Sequence, residues 1–201
     1  MSLYVPRPFG AANRVAIARL VHDHPFATLV TPAAPEPHVS HVPLIWVGDC
    51  EPYGTLLGHF ARANPHVEVA AGVESIAIFH GPHAYVSPSW YADPAAAVPT
   101  WNYAVVHAHG TPRAIEDKDW LYALVTALTD SQESHRAEPW KVTDAPDEFV
   151  RATLGAIVGI EMPVTRLVGK WKSSQNRSEA DRAGVSAQLP DPTDLVRPPR
   201  A

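Results

Sequence analysis

Two neighbouring segments of this sequence carry side chains that could hold a small, flat, polar molecule. Gly81–Tyr91 and Val98–Tyr103 together contain two tryptophans, three tyrosines and several hydroxyl groups. Aromatic faces can stack on a heterocycle while polar donors bind its edge, which is the usual chemistry of a small-molecule pocket. The alternative is that these aromatic residues form a core or a dimer interface. The candidate ligand-binding residues in the two segments are Ser87, Trp90, Thr100, Trp101 and Asn102.

A third segment, Lys170–Arg177, is basic and rich in amides and hydroxyls. Residues 166–182 contain five basic and two acidic side chains, whereas the whole chain has a net charge of -5. Lysine and arginine can form charge-assisted hydrogen bonds to a phosphate, and amides can donate to ring carbonyls. The alternative is a solvated basic face. The candidate ligands for an anionic cofactor are Lys172, Gln175 and Asn176.

A fourth segment, Gly58–Pro65, is expected to end a strand and open a short helix, a position where anions often bind. Asn64 is the expected N-cap, with Pro65 at the first helical position. Capping accounts for Asn64 and Pro65 but not for His59 or Arg62. We therefore include His59, Arg62 and Asn64 among the candidate cofactor-binding residues.

Metal and other catalytic motifs are weak or missing in the sequence. His107 and His109 lie on one face of a predicted strand, but no cysteine or acidic triad completes a metal site. We therefore expect hydrogen-bonded histidines and no metal. The sequence contains no glycine-rich dinucleotide motif, Walker loop, nucleophile elbow or HExxH.

Periodicity and turn residues predict the elements that position these segments. They indicate a helix capped by Asn13, a series of short strands with a break at Gly81, a long irregular loop over 88–99, helices after Asp117 or Asp119 and from Pro146, and a final strand over 157–168. No strong periodicity follows Lys172. The order predicts an α+β, mainly β protein: an antiparallel barrel or sheet with peripheral helices.

Composition limits the class of protein. The chain has 201 residues, 46% of them apolar, which is enough for one sizeable core. Its acidic charge disfavours direct DNA binding by the bulk surface, although a local basic patch at Arg166–Arg182 leaves that hypothesis open. A single cysteine, Cys50, and the lack of a secretory or membrane-spanning pattern predict a cytoplasmic protein. We expect one domain over 1–189, with a helical insertion around 117–156 and a loose tail over 190–201.

Taken together, the segments resemble the PaiB-type family, the FMN-binding negative transcriptional regulators. The resemblance covers nearly the whole chain and is carried by these residues: Tyr4-Val5-Pro6, Phe26-Ala27-Thr28-Leu29-Val30-Thr31, His41-Val42-Pro43-Leu44, Gly58-His59, Ala61-Arg62-Ala63-Asn64-Pro65, Gly81-Pro82-His83-Ala84-Tyr85-Val86-Ser87-Pro88-Ser89-Trp90-Tyr91, Val98-Pro99-Thr100-Trp101-Asn102-Tyr103 and Lys170-Trp171-Lys172-Ser173-Ser174-Gln175-Asn176-Arg177.

The resemblance implies an antiparallel split β-barrel of the FMN-binding type, with FMN at the interface of a homodimer. It also implies regulation of transcription, which we expect to act through ligand or redox sensing, with a DNA or protein partner unproven. The alternative is an FMN-dependent oxidoreductase acting on a small molecule, in which His59, His107 or Tyr91 could move protons. A haem-related role is a further possibility, without an identifiable axial ligand.

Overall fold

The computed structural model describes residues 3–10, 13–48 and 53–189. The predicted tail over 190–201, the turn residue Asp49 and the lone Cys50 lie outside these ranges. Seven strands form one sheet: β1 Phe26–Thr31, β2 His38–Val47, β3 Thr55–Ala61, β4 Ser75–Val86, β5 Thr100–Gly110, β6 Arg113–Ile115 and β7 Ile157–Lys172.

The strand order is β3-β2-β1-β4-β5-β7-β6, with a further pairing between β3 and β7. Five of the strand pairs in the described residues have antiparallel registers, in which, for example, Thr28 lies opposite His41, Leu29 opposite Ala77, and His59 opposite Gly159. This pairing confirms the predicted antiparallel, mainly β architecture.

The chain divides into two compact units. The first unit comprises residues 79–107, the described residues before Pro25 and those after Arg166; the second unit comprises residues 25–78 and 108–166, without 49–52. In the second unit, alternation along β1 and β3 buries Leu29, Leu56 and Phe60 on the core side of the sheet. The expectation of a single domain over 1–189 stays a prediction.

The described residues contain five α-helices: α1 Arg14–Asp23, α2 His66–Ala70, α3 Lys118–Glu133, α4 Asp147–Leu154 and α5 Glu179–Gln188. Caps explain where two of them begin. The Asn13 side chain accepts a hydrogen bond from Val15 N, and Asp117 accepts one from Trp120 N. Helix α3 buries Leu121, Leu124 and Leu128 at helical spacing, as the sequence predicts.

The predicted break at Gly81 is wrong, because β4 is continuous from Ser75 to Val86. A Cβ at Gly81 would press on the side chains of Leu20 and Ala104, so this glycine allows close packing in the first unit and does not form a turn.

Three further expectations need correction. The stretch over 88–99 contains two short 3-10 helices, Pro88–Trp90 and Pro94–Ala96, the second with Asp93 accepting from Ala95 N. Strand β7 extends to Lys172, so the first three of the eight residues in the predicted binding segment are strand. Residues 179–188 form helix α5, which sequence periodicity did not predict because only Val185 of this helix is buried.

Candidate cofactor site

Lys172, at the end of β7, forms the centre of a polar cluster in the first unit. Its Nζ donates to Thr100 Oγ1 and, at 2.9 Å, to the carbonyl oxygen of Trp101, both at the start of β5. An ammonium has three N–H donors, so one remains for a ligand. The structure thus brings together three residues that the sequence assigned to the site.

Lys170 lies two residues earlier on the same face of β7 and is only 8% exposed. Its Nζ donates to the carbonyl oxygen of Tyr4 at 2.9 Å and lies 5.5 and 5.3 Å from the ring centroids of Tyr4 and Tyr103. Aromatic faces and a carbonyl stabilise the ammonium without neutralising it. Lys170 lies close enough to Lys172 for the two charges to interact.

No carboxylate within 4.0 Å neutralises this group of cations in the part of the chain that the structure describes, because none of the ion pairs found there involves Lys170, Lys172 or Arg177. Burial lowers the pKa of the Lys172 ammonium, and the charges of Lys170 and Arg177 lower it further. We call Lys170, Lys172 and Arg177 the cationic cluster. An anion bound there would offset the mutual repulsion.

Trp101, whose backbone carbonyl accepts from Lys172, presents an exposed aromatic surface. Its side chain is 53% exposed, and the ring lies edge-on to Tyr85 at 5.9 Å and tilted to His83 at 6.2 Å. Tyr85 is itself 46% exposed. An exposed tryptophan beside a lysine offers a stacking face to a flat heterocycle.

The turn after β7 is held by the Gln175 side chain. Gln175 Oε1 accepts from the backbone N and the hydroxyl of Ser173, and Nε2 donates to the carbonyl oxygens of Trp171 and Pro8. These four bonds use the whole hydrogen-bonding capacity of the amide. The sequence assigned Gln175 as a ligand, whereas the structure shows it fully engaged within the protein. Asn176, next along the turn, is exposed.

Ser174, a residue that sequence reasoning did not single out, adopts a left-handed conformation with φ of 61°. Its hydroxyl donates to Asn102 Oδ1 at 3.2 Å, and both residues are buried. A non-glycine residue in this conformation is strained, and such residues concentrate at functional sites. The bond ties the turn after β7 to Asn102 of β5; a role of Asn102 in cofactor binding stays a prediction.

Ser87 and Trp90 lie in the 3-10 loop after β4. Ser87 Oγ accepts from Ser89 N, which caps the short helix, and Trp90 packs against an apolar cluster of Val86, Tyr91 and Val185. Arg177 places its guanidinium 4.7 Å from the centre of the Tyr91 ring. Trp90 is therefore half-buried within this loop, unlike Trp101.

The remaining candidates, His59, Arg62 and Asn64, lie in the second unit. Arg62 donates to the carbonyl oxygens of Gly155 and Ile157 and pairs with Glu116 at 3.5 Å. Burial lowers the pKa of His59, and its Nδ1 is buried without a hydrogen-bond partner among the described residues. Arg62 thus has a local structural role, whereas His59 retains an unsatisfied nitrogen.

Asn64 joins a buried chain of hydrogen bonds centred on His66. Asn64 Oδ1 accepts from His66 N at 3.0 Å, and its Nδ2 donates to Ser40 Oγ at 3.1 Å. His66, only 1% exposed, bonds Ser40 Oγ through Nδ1 and Thr31 Oγ1 through Nε2, each at 2.8 Å. Burial and then the neighbouring His38 lower the pKa of His66, which favours its neutral form.

The far end of this chain fixes the position of every proton. Ser75 donates its one hydroxyl proton to Val73 O, so Thr31 must donate to Ser75 at 2.7 Å. Thr31 then accepts from His66 Nε2–H, which leaves Nδ1 to accept from Ser40. We call Ser40, Asn64, His66, Thr31 and Ser75 the histidine network; as a neutral network it is complete.

The second histidine of the pair on β5, His109, is hydrogen-bonded within the second unit. Arg166 donates to His109 Nδ1 at 2.9 Å, and the described residues contain no group of three His, Cys, Asp or Glu side chains arranged to hold a metal ion. Burial and then Arg166 lower the pKa of His109. Its Nε2 is buried without a described partner.

The chain is similar to a known protein family and to a Bacillus subtilis protein. Residues 3–166 match the model of the family described as "Putative FMN-binding domain". The Bacillus subtilis protein named Protease synthase and sporulation protein PAI 2 is 35% identical over 188 residues, which cover 93% of this chain and 89% of that protein. None of the helices in residues 3–10, 13–48 and 53–189 combines the length and the hydropathy that a bilayer-spanning segment needs.

Two solved structures share the fold. The FAD and heme binding protein from Mycobacterium smegmatis has a TM-score of 0.63 at 17% identity, covering 87% of this chain and 78% of that chain. The flavocytochrome Anf3 from Azotobacter vinelandii also has a TM-score of 0.63, at 13% identity, covering 90% and 78%. With the observed strand order, these neighbours define the class: an antiparallel split β-barrel with peripheral helices.

The chain belongs to the FMN-binding domain family, and it is an FMN-binding protein of the PaiB type. The match to the family model ends at residue 166, so the cationic cluster and α5 lie beyond it. The match to the Bacillus subtilis relative covers 93% of the chain and therefore continues past residue 166.

Proposed function

We propose that FMN binds in the first unit, with its phosphate on the cationic cluster and its ring system against Trp101. The observation that carries the proposal is that no carboxylate of the described residues lies within ion-pair distance of Lys170 or Lys172, together with the 53% exposure of Trp101. Arg177 is also not ion-paired within 4.0 Å to any of these carboxylates, although its charge acts on Asp181 at longer range. A phosphate dianion would supply the missing charge, and the third N–H of Lys172 would bond it.

Polar groups around the cluster would bind the edge of the ring. Thr100, Asn102 and the exposed Asn176 are the nearest candidates in sequence and structure, with Ser87 and Trp90 contributing from the 3-10 loop. Gln175 would act as a positioning residue, because all its hydrogen bonds are made inside the protein. Bound FMN would supply one- or two-electron redox chemistry.

The three candidates in the second unit receive different roles under this proposal. Arg62 and Asn64 support local structure through the bonds they already make. His59 alone retains an unsatisfied nitrogen, so it is the member of the three for which a further partner is expected.

FMN titration of Lys172→Met tests the site. Loss of one charge-assisted bond should weaken FMN binding about 10- to 100-fold. Lys118→Met removes an equal charge from an exposed position in α3 and should leave the affinity unchanged. Equal FMN affinity in the two variants would exclude this placement of the phosphate.

We also propose that the protein is a homodimer with FMN at its interface. The outward face of β1, β2 and β4 supports this, because it is apolar and partly exposed, with Phe26 at 66% and Val39 at 53% exposure. Val30 lies opposite both Val39 and Ile76, and the hydrogen-bonded pair Thr28 and His41 lies on the same face beside them. A surface of this kind on a soluble protein marks an association site.

Light scattering during gel filtration tests the dimer. Val39→Asp should convert dimer to monomer, because the interface would have to bury a carboxylate. Val15→Asp introduces the same charge at a position 74% exposed on α1 and should remain dimeric. A wild-type protein that elutes as a monomer at all concentrations would contradict the proposal.

The role we propose is regulation of transcription through ligand or redox sensing, in the cytoplasm. The proposal rests on the resemblance to the PaiB-type family; the Bacillus subtilis relative is named for protease synthase and sporulation. Helices α3 and α4 are separated by residues 134–146, far more than the tight turn of a helix-turn-helix. This spacing favours sensing coupled to a partner over direct reading of DNA.

Complementation of a deletion strain tests this role. The wild-type gene and the Lys118→Met variant should restore the transcript profile, whereas Lys172→Met should not. Full restoration by Lys172→Met would separate regulation from the FMN site. Cell fractionation of the same strains tests the cytoplasmic location.

The exposed group of Trp101, Tyr85 and His83 favours a second candidate, an oxidoreductase, because it could accept a second aromatic ring beside the flavin. Under anaerobic conditions NADH or NADPH should then bleach the flavin absorbance, and an acceptor should restore it. Absence of bleaching across a panel of reductants would exclude this activity.

A further inference from the structure

Helix α5 contacts the loop that carries Trp90, and it does so at a glycine. A Cβ on Gly184 would overlap the carbonyl oxygen of Trp90, so the loop backbone lies directly against the helix backbone. Glycine weakens the middle of a helix relative to alanine. The close approach to Trp90 is a physical reason for glycine at this position.

A second contact holds the next part of the loop. Asp181 Oδ1 accepts a hydrogen bond from Ala92 N at 3.0 Å, and Ser178 caps the same helix by accepting from Asp181 N. Carboxylates bind backbone N–H groups well because the bond is charge-assisted. Asp181 therefore fixes the chain two residues beyond Trp90.

An apolar cluster completes the attachment. Val185 of α5 is buried with Val86 and Tyr91, and Trp90, Ala97 and Leu189 pack against them. The guanidinium of Arg177 covers the Tyr91 ring. One side chain of the cationic cluster is therefore in direct contact with the same loop.

We propose that α5 is a positioning element for the flavin site, and that Gly184 and Asp181 are positioning residues that fix Trp90. The inference rests on the proposed FMN site, because it assigns the loop a purpose there. Neither residue is expected to touch the cofactor. Their effect is to hold the loop in one conformation, so that binding FMN does not have to order it.

Gly184→Ala and an Asp181 pair test this inference. Gly184→Ala should displace Trp90 and weaken FMN binding about tenfold. A tenfold change corresponds to the net free energy of about one hydrogen bond. Asp181→Ala should weaken binding similarly, whereas Asp181→Asn, which keeps an acceptor oxygen, should restore most of the affinity. Ser186→Ala, at an exposed position of α5, is the control.

The fluorescence of Trp90 reports displacement of the loop itself and therefore distinguishes it from a general loss of protein stability. The spectrum of Trp90, obtained as the difference between each protein and its Trp90→Phe version, should change in Gly184→Ala and Asp181→Ala. It should be unchanged in Asp181→Asn, Ser186→Ala and Lys172→Met.

Three results separate the two proposals. An unchanged Trp90 spectrum in Gly184→Ala and Asp181→Ala overturns the inference. A changed spectrum with normal FMN affinity also overturns it, since the loop then does not matter for binding. Normal FMN affinity in Lys172→Met, with weakened affinity in Gly184→Ala, would instead refute the phosphate site and retain the role of α5.

Discussion

The cationic cluster of the first unit and the histidine network of the second unit differ in how far their polar groups are satisfied by hydrogen bonds and charges. In the network each hydroxyl proton has a determined acceptor, and the central His66 is neutral and 1% exposed. In the cluster, repulsion from Lys170 and Arg177 destabilises the ammonium of Lys172 and lowers its pKa. One N–H of that ammonium has no acceptor among its two hydrogen bonds. Both regions contain the residue types that sequence reasoning associates with ligand binding.

If FMN binds at the cluster as proposed, satisfaction of hydrogen bonds, and not residue type, separates structural polar groups from binding groups. A complete neutral network offers a ligand no unmet bond, and breaking it costs the desolvation of each group left unpaired. An uncompensated set of cations is costly until an anion arrives. The comparison therefore predicts stability effects from the network and affinity effects from the cluster.

Removing the centre of the network should have the largest effect. His66→Ala should lower the free energy of unfolding by about 3 kcal/mol, because Thr31 and Ser40 lose a partner and a cavity opens. FMN affinity per folded molecule should not change. Urea denaturation and FMN titration measure the two quantities.

Thr31→Val separates the hydrogen bond from the cavity, because the two side chains are close in volume. We expect a loss of about 2 kcal/mol, with Thr111→Val, at an exposed position, as the control. A tenfold loss of FMN affinity in either network variant would show that the network belongs to the site.

Acidification should have the next largest effect on the stability of the protein. Burial lowers the pKa values of His59, His66 and His109, so the unfolded chain binds protons more readily than the folded chain below pH 6.5. Stability is therefore complete above 6.5 and is lost as the pH falls toward the lowered values, by at most about 1.4 kcal/mol per pH unit and group. Urea midpoints from pH 7.5 to 5.0 measure this.

His66→Gln should flatten that pH profile, whereas His135→Gln, an exposed position, should not. An identical slope in wild type and His66→Gln would mean that His66 does not contribute.

Alkaline pH should act on the cluster and not on the network. Because the pKa of Lys172 lies below its usual 10.5, the ammonium loses its proton at a lower pH than an ordinary lysine. FMN affinity should fall as the pH rises through that lowered pKa, and binding should be accompanied by proton uptake. Calorimetry in buffers of different ionisation enthalpy measures the uptake.

Lys172→Arg tests whether deprotonation of Lys172 causes the alkaline loss of FMN affinity, since arginine stays charged throughout this range. The alkaline loss of affinity should disappear in this variant, even if its overall affinity is lower. Persistence of the same pH dependence would assign it to another group.

Local sequence signals predicted most of the frame. The caps Asn13 and Asp117, the strand Phe26–Thr31 and the alternation along β5 follow from contacts between near neighbours in sequence. The hydrogen bonds of the candidate site do not follow from such local contacts. Gln175 bonds Pro8, 167 residues away, and no periodicity contains that information.

Helix α5 was missed for a related reason. Only Val185 of its residues is buried, so it lacks an apolar stripe, and its attachment depends on Gly184 and Asp181, which resemble ordinary surface residues. The residue types of the site were predictable, because lysine beside amides is unusual in an acidic chain. Which of them were already satisfied required the tertiary contacts.

Arg62 gives the smallest predicted effect and the sharpest contrast with the cluster. Unlike Arg177, it pairs with a carboxylate, that of Glu116, and it bonds two backbone carbonyls at a position 44% exposed. Arg62→Met should therefore cost less than about 1 kcal/mol of stability and leave FMN affinity unchanged.

Arg113→Met is a matched control, because Arg113 is also exposed and ion-paired, to Glu161. The two variants should be indistinguishable in FMN titration. A tenfold weaker affinity in Arg62→Met alone would place Arg62 in the site. Satisfied hydrogen bonds would then no longer separate binding groups from structural ones, because a ligand could replace the carbonyl and carboxylate partners that Arg62 has here.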